Sequence, residues 1–120
     1  MRLKNIMLVV SDVEKSKNFY QDLFGLQVVV DMGENIVMTE GLVLQGKEVW
    51  EKALDCKVEM GKYNAVLYFE ETNLECFQQK LEESQYDIQY LHPILECNGQ
   101  RILRMYDLDG HIIEVRGEKI

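Results

Sequence analysis

Short apolar runs separated by polar breaks dominate the chain, and one succession of them is followed by a second of the same kind. Residues 3–10 are β-branched or otherwise apolar, with a polar break at Asn5, which suits a buried strand. Ser11-Asp12-Val13-Glu14 predicts a capping box, in which the Ser11 hydroxyl accepts from the third helical amide and Glu14 reaches back to the cap. Val13, Ser16, Tyr20 and Leu23 then share one helical face, Phe19 and Phe24 lie beside it, and Gly25 supplies a left-handed stop. Strands are predicted at 26–31, 35–39 and 41–45, with turns at Met32-Gly33-Glu34 and Glu40-Gly41. Residues 47–58, carrying Val49, Trp50, Ala53 and Leu54, predict a weakly helical connection.

The second half repeats this order. Residues 63–69 form an apolar run broken at Asn64, and Thr72-Asn73-Leu74-Glu75 predicts a second capping box ahead of Leu74, Phe77 and Leu81 at helical spacing. Ser11 matches Thr72, Val13 matches Leu74, Glu14 matches Glu75 and Tyr20 matches Leu81, all at one offset. Strands at 87–91, 100–106 and 111–116 complete the repeat, with turns at Cys97-Asn98-Gly99 and Asp107-Leu108-Asp109-Gly110. The expectation is an α+β domain reading β-α-β-β-β twice: module one at 1–46, a connecting segment at 47–60, and module two at 61–120.

Composition narrows the partners. At 120 residues, 47% hydrophobic and 28% charged, the chain has enough for one packed domain, which excludes disordered, collagenous and coiled-coil classes. Twenty-one acidic against 13 basic residues give a net charge of −8, which repels phosphate backbones and anionic lipid, so neither nucleic acid nor membrane is expected as a partner. No apolar run approaches the ~20 residues needed to span a bilayer, and the stretch ending at Val10 is too short for a signal peptide. Cys56, Cys76 and Cys97 are odd in number and widely spaced, as expected of reduced thiols in a cytoplasmic protein.

Three stretches carry a family resemblance: Leu3-Lys4-Asn5-Ile6-Met7-Leu8-Val9-Val10-Ser11-Asp12-Val13-Glu14-Lys15-Ser16, then Phe19-Tyr20-Gln21-Asp22-Leu23-Phe24-Gly25-Leu26, and Tyr106-Asp107-Leu108-Asp109-Gly110-His111-Ile112-Ile113-Glu114. In order and spacing the chain resembles the vicinal oxygen chelate superfamily of glyoxalase I, bleomycin-resistance proteins, fosfomycin-resistance enzymes and extradiol dioxygenases. The resemblance implies two βαβββ modules forming a curled mixed sheet around a cup, and a homodimer. In metal-dependent members two histidines and a glutamate hold the ion; carried over, these positions fall on Asn5, Asn64 and Glu114, with a fourth at Leu44 or Gln45.

A carboxamide oxygen is a weak donor to transition metals, so the resemblance implies a metal-free binding module for a small molecule, with a degenerate metal site and no cofactor. The alternative is a divalent-metal-dependent lyase, isomerase or dioxygenase, either lactoylglutathione-lyase-like or dioxygenase-like, with non-standard ligands. Acid–base chemistry through Glu114 and Tyr106 is a third reading, with Glu114 as the candidate catalytic residue. Asn5, Gln45, Trp50, Asn64, Arg104 and Tyr106 are the candidate ligand-binding residues.

Each has a plainer alternative. The two asparagines are either ligand contacts or relics satisfied by neighbours and water. Strand pairing through the Asp107–Gly110 turn would set Arg104 beside Glu114 as a charge pair, with Ile102 and Tyr106 on the same face. Trp50 either walls the cup or packs against a second subunit, and Met7, Met38, Met60 and Met105 are core filler or adaptable lining. His92 and His111 have no nucleophile at triad spacing, and Asp107-x-Asp109-Gly110 reads as a turn before it reads as a calcium loop.

Overall fold

In the computed structural model, which describes residues 1–119, each half of the chain folds as its own β-α-β-β-β unit, the first at Met1–Met60 and the second from Gly61 onward. The first unit runs β1 (Ile6–Val10), α1 (Val13–Phe24), β2 (Val28–Asp31), β3 (Asn35–Met38), a single 3-10 turn, β4 (Leu42–Gly46) and α2 (Lys47–Leu54). The second runs β5 (Val66–Glu70), α3 (Leu74–Glu83), β6 (Leu95–Cys97), β7 (Gln100–Tyr106) and β8 (Ile112–Lys119). Each unit makes a four-stranded mixed sheet, ordered β1-β4-β3-β2 and β5-β8-β7-β6. The first strand pairs parallel with the last, a crossover that a helix and meander are needed to close, and the other pairings are antiparallel.

Side-chain alternation divides each sheet into a helix-facing side and an opposite side. In the first unit Leu8 stands across from Leu44, and Leu44 from Ile36; all three are buried with Val10 and Met38 on the side that takes α1. The helix contributes Val13, Phe19, Tyr20 and Leu23, and a Cβ built on Gly46 would touch Val13, which marks that parity of β4 as the helix side. In the second unit Leu103, Met105, Ile113 and Val115 face Leu74, Phe77 and Leu81 of α3, all buried. Each unit thus has a small core of its own, removing several large apolar side chains from water at about 1.5–3 kcal/mol apiece.

Both helix caps sit one residue later than the capping boxes predict. Asp12, not Ser11, accepts from the Lys15 amide at 3.0 Å, and Asn73, not Thr72, accepts from the Cys76 amide at 3.0 Å. Asp12 and Asn73 hold the extended backbone immediately before the first helical residue, so each occupies the N-cap itself and its side chain, not the preceding hydroxyl, reaches the free amide. Glu14 and Glu75 are thereby released from capping and pair with Lys17 and Arg101. Gly25 ends α1 as expected, at φ 70° with its amide on the Tyr20 carbonyl.

Other boundaries move as well. The opening strands begin later than 3–10 and 63–69 suggest, leaving Asn5 one residue and Asn64 two residues ahead of β1 and β5. Residues 87–91 are no strand: Tyr90 makes a single bridge to Met105, and Pro93 breaks the run before β6 pairs the far end of β7. Helix α2 is part of the first unit, packed on β1 and β4. Met38 and Met105 are core filler, whereas Met7 is half exposed. The sheets carry register shifts between Val28 and Val30 and between Gln100 and Ile102, and Asn98 (φ 52°) with Gly99 (φ 75°) forms the two-residue hairpin joining β6 to β7. Among the described residues no helix is long and apolar enough to cross a membrane.

Asp12→Ala and Asn73→Ala are each expected to cost about 1 kcal/mol in urea unfolding, while Ser11→Ala and Thr72→Ala stay within about 0.5 kcal/mol. The reverse order would restore the capping boxes.

Candidate functional site

The chemistry of the second unit collects on the sheet face turned away from α3. Because Leu103, Met105, Ile113 and Val115 point to the helix, Arg104, Tyr106, Glu114 and Arg116 point the other way. Register sets Arg104 across from Glu114 on β7 and β8, and Tyr68 of β5 across from Glu114 on its other flank.

Glu114 is only 9% exposed, and both of its carboxylate oxygens are taken. Arg104 Nε donates to Oε1 at 2.7 Å and Arg116 Nε donates to Oε2 at 2.8 Å. Burial pushes the Glu114 carboxyl upward, but the hydrogen bonds and charges of the two guanidiniums outweigh it and hold the pKa below the ordinary glutamate value. The charge pair expected between Arg104 and Glu114 therefore forms, and a second arginine completes it.

Aromatic groups surround this bracket. The Arg116 guanidinium lies 5.6 Å from the centre of the exposed Tyr68 ring, a cation–π contact. Tyr106 is half-buried and packs against Tyr63, ring centres 6.2 Å apart; Tyr63 holds its ring there from a left-handed backbone at φ 60°. His92 points Nε2 at Arg104 Nη1, 3.5 Å away, while its Nδ1 stands 2.8 Å from the Pro93 carbonyl. A carbonyl only accepts, so Nδ1 carries a hydrogen toward Pro93, and Nε2 is the ring atom turned to Arg104.

The turn between β7 and β8 is held by Asp107. Its Oδ1 accepts from the Asp109 and His111 amides, both at 2.9 Å, and its Oδ2 lies 2.9 Å from His111 Nδ1. Burial lowers the His111 pKa, but the hydrogen bond and charge of Asp107, with the charge of Asp109, carry it above the ordinary histidine value. The Asp107 oxygens thus serve the turn.

In the first unit Leu44 is fully buried on the α1 side, so of the two residues proposed for the fourth position only Gln45 belongs to the opposite face. Gln45 accepts a hydrogen bond from the Trp50 indole, which ties these two candidate residues together. Asn5 is half-buried ahead of β1, and Asn64 is exposed ahead of β5. Within the second unit it is Tyr68, not Asn64, that stands opposite Glu114.

A profile of the glyoxalase-like domain matches residues 3–119. The chain belongs to this glyoxalase-like family. Its fold recurs in a protein of unknown function from Agrobacterium tumefaciens str. C58, 30% identical over 98% of this chain and 94% of that one, with a TM-score of 0.81. A glyoxalase-related enzyme from Fulvimarina pelagi is 21% identical, covering 98% of this chain and 88% of its own, at a TM-score of 0.79. The fosfomycin resistance protein FosX from Listeria monocytogenes is 16% identical, covering 100% and 95%, at 0.71. No curated protein matches the chain significantly. The two four-stranded mixed sheets of the glyoxalase-like domain thus recur in solved structures described as glyoxalase-related and as glyoxalase/bleomycin resistance/dioxygenase proteins, and the fold is the one they share.

Sequence reasoning missed Arg116, Tyr68 and Tyr63. Two of them were within reach: Arg116 follows Glu114 by two residues on one strand and so shares its face, and parallel pairing of the first and last strands brings Tyr68 beside them. The left-handed Tyr63 left no signal in the sequence.

Two outcomes follow from these titrating groups. Glu114→Gln turns an acceptor oxygen into a donor facing a guanidinium and is expected to cost about 2 kcal/mol at neutral pH. Because the folded carboxyl titrates below its ordinary value of 4.5, that contribution is complete above this value and lost as pH falls through the folded pKa, so wild type and variant converge in acid denaturation scans. His111 has the opposite sign. Its ion pair contributes fully below 6.5 and is lost as pH rises through the raised folded value. Melting curves of His111→Gln between about pH 5 and about pH 9 should lack that decline.

Proposed function

We propose that the glyoxalase-like domain binds a small molecule without a metal ion, and that Glu114 is a structural anchor for two arginines instead of a metal ligand or a general base. The observation that carries this reading is the occupation of both Glu114 oxygens by Arg104 and Arg116. A divalent cation there would have to displace two guanidiniums and then sit beside their positive charges. The accompanying positions, Asn5 and Asn64, offer carboxamides, and the residue opposite Glu114 is the phenol Tyr68; no imidazole stands among them. This donor set suits a divalent ion poorly. A lowered pKa also makes Glu114 a weak proton acceptor, which speaks against the acid–base alternative.

Ligand contact is assigned within the second unit to Arg104 and Tyr106 with Arg116 and Tyr68; Gln45, Trp50 and Asn5 are separate candidates within the first unit. A homodimer in the cytoplasm belongs to the same reading. Exposed apolar residues such as Ile6, Met7 and Val66 support self-association, and three exposed free thiols suit a reducing compartment.

Metal analysis of protein purified without chelator, together with melting in the presence of zinc, nickel, manganese or magnesium, tests the central point. Substoichiometric metal and a Tm raised by less than about 1 °C are expected. One tightly held ion per chain would return the metal-dependent lyase, isomerase or dioxygenase reading.

A further inference from the structure

We propose that Arg104 and Arg116 form a bracket for a planar carboxylate, with the ring that carries the carboxylate lying against Tyr68. The inference rests on the metal-free binding reading and names its ligand class.

A guanidinium has five N–H donors, and Glu114 takes the Nε–H of each arginine. The end-on edge of each fork, formed by its two terminal nitrogens, is the edge that pairs with a carboxylate through two parallel hydrogen bonds. Both arginine side chains remain 34% exposed, so pairing with Glu114 does not seal either of them off from solvent. One carboxylate shared by two guanidiniums leaves a surplus positive charge at the bracket. Register sets Glu70 opposite Arg116, but that carboxylate is exposed and hydrated, so it offsets the surplus only weakly.

The anchor also fixes orientation. Arginine's long stem is costly to immobilise, and here that ordering is met in advance by the buried Glu114 and, for Arg116, by the Tyr68 ring. His92 holds its ring nitrogen toward one terminal nitrogen of Arg104, which further restricts that fork. A domain carrying a net charge of −8 repels small anions over most of its surface, so a prearranged cationic pair selects where one can settle.

Tyr68 is 51% exposed and Tyr63 69% exposed, so aromatic surface is open to solvent beside the charge cluster. Tyr63 in addition keeps a backbone conformation that costs a non-glycine residue energy. A flat, apolar ring covering Tyr68 recovers that surface, and a carboxylate in the plane of the ring then meets the forks edge to edge. A tetrahedral phosphate would meet the forks but leave the tyrosine uncovered.

The test titrates the full chain, in EDTA, with benzoate, benzamide, acetate and inorganic phosphate, following backbone amides of β5, β7 and β8 by NMR. Benzoate is expected to shift these signals saturably and at least about tenfold more tightly than benzamide or acetate. Arg104→Lys and Arg116→Lys keep the charge but lose the fork, and each is expected to weaken benzoate about tenfold. Tyr68→Ala should weaken benzoate and leave acetate unchanged. If a variant loses its dispersed spectrum, the four-ligand series on the wild type decides alone. Equal binding of benzoate and benzamide overturns the carboxylate bracket and leaves the metal-free reading standing. Tighter binding of phosphate than benzoate, or no saturation by benzoate up to about 10 mM, also overturns it. Benzoate binding that appears only when a divalent ion replaces EDTA overturns the metal-free reading and the bracket together.

Discussion

A carboxylate nearly withdrawn from water in the middle of a sheet cannot stand alone, and the way Glu114 is neutralised governs the chemistry of the second unit. An isolated buried charge costs several kcal/mol, which neither the hydroxyl of Tyr68 nor a single arginine at the rim would offset well. Two guanidiniums, one from the neighbouring strand and one from two residues along the same strand, satisfy it from both sides. In doing so each commits its Nε–H to the acid, and Arg104 also sets one terminal nitrogen against the His92 ring. Both carboxylate oxygens of the acid are thereby engaged, and each arginine is held in place from the sheet.

The two repeats use one topology for different ends. In the first unit the strand position that corresponds to this face carries Val43 and Gln45, one buried and one bonded to the Trp50 indole, with no charge among them. In the second, the corresponding strand carries Glu114 and Arg116. Shared architecture is thus compatible with sharply unequal chemistry, and membership of a glyoxalase-like family fixes the scaffold without fixing what the scaffold does.

Much of the fold was legible because it is written twice. Alternation in the strands and apolar spacing in the helices were repeated at one offset, so each half supported the assignment of the other. The helix caps were misread by one residue because Ser11-Asp12 and Thr72-Asn73 each present two competent cap residues in succession, and backbone geometry chooses between them. Residues 87–91 look like a strand, yet β7 is served there by only one bridge before Pro93 diverts the chain. Of the site, the Arg104–Glu114 contact followed from a hairpin register that the Asp107–Gly110 turn makes readable. Arg116 was equally readable, since it follows Glu114 by two residues on the same strand and so shares its face. The orientation of Tyr63 depends on a left-handed backbone that its residue type does not favour, so nothing in the local sequence announces it.

The register shift between Val28 and Val30 bears on how the molecule survives at high concentration. Strand β2 borders its sheet and displays Val29 and Val30, 60% and 45% exposed, which is the kind of margin that templates stacking of one chain on the next. The extra residue bends that margin and spoils the spacing of its unpaired amides, and Asp31 closes the strand with a charge. A straightened border, with the irregularity deleted and the charge removed, would hand a second molecule a flat apolar template, and fibrous precipitation would become the ordinary fate of a concentrated solution.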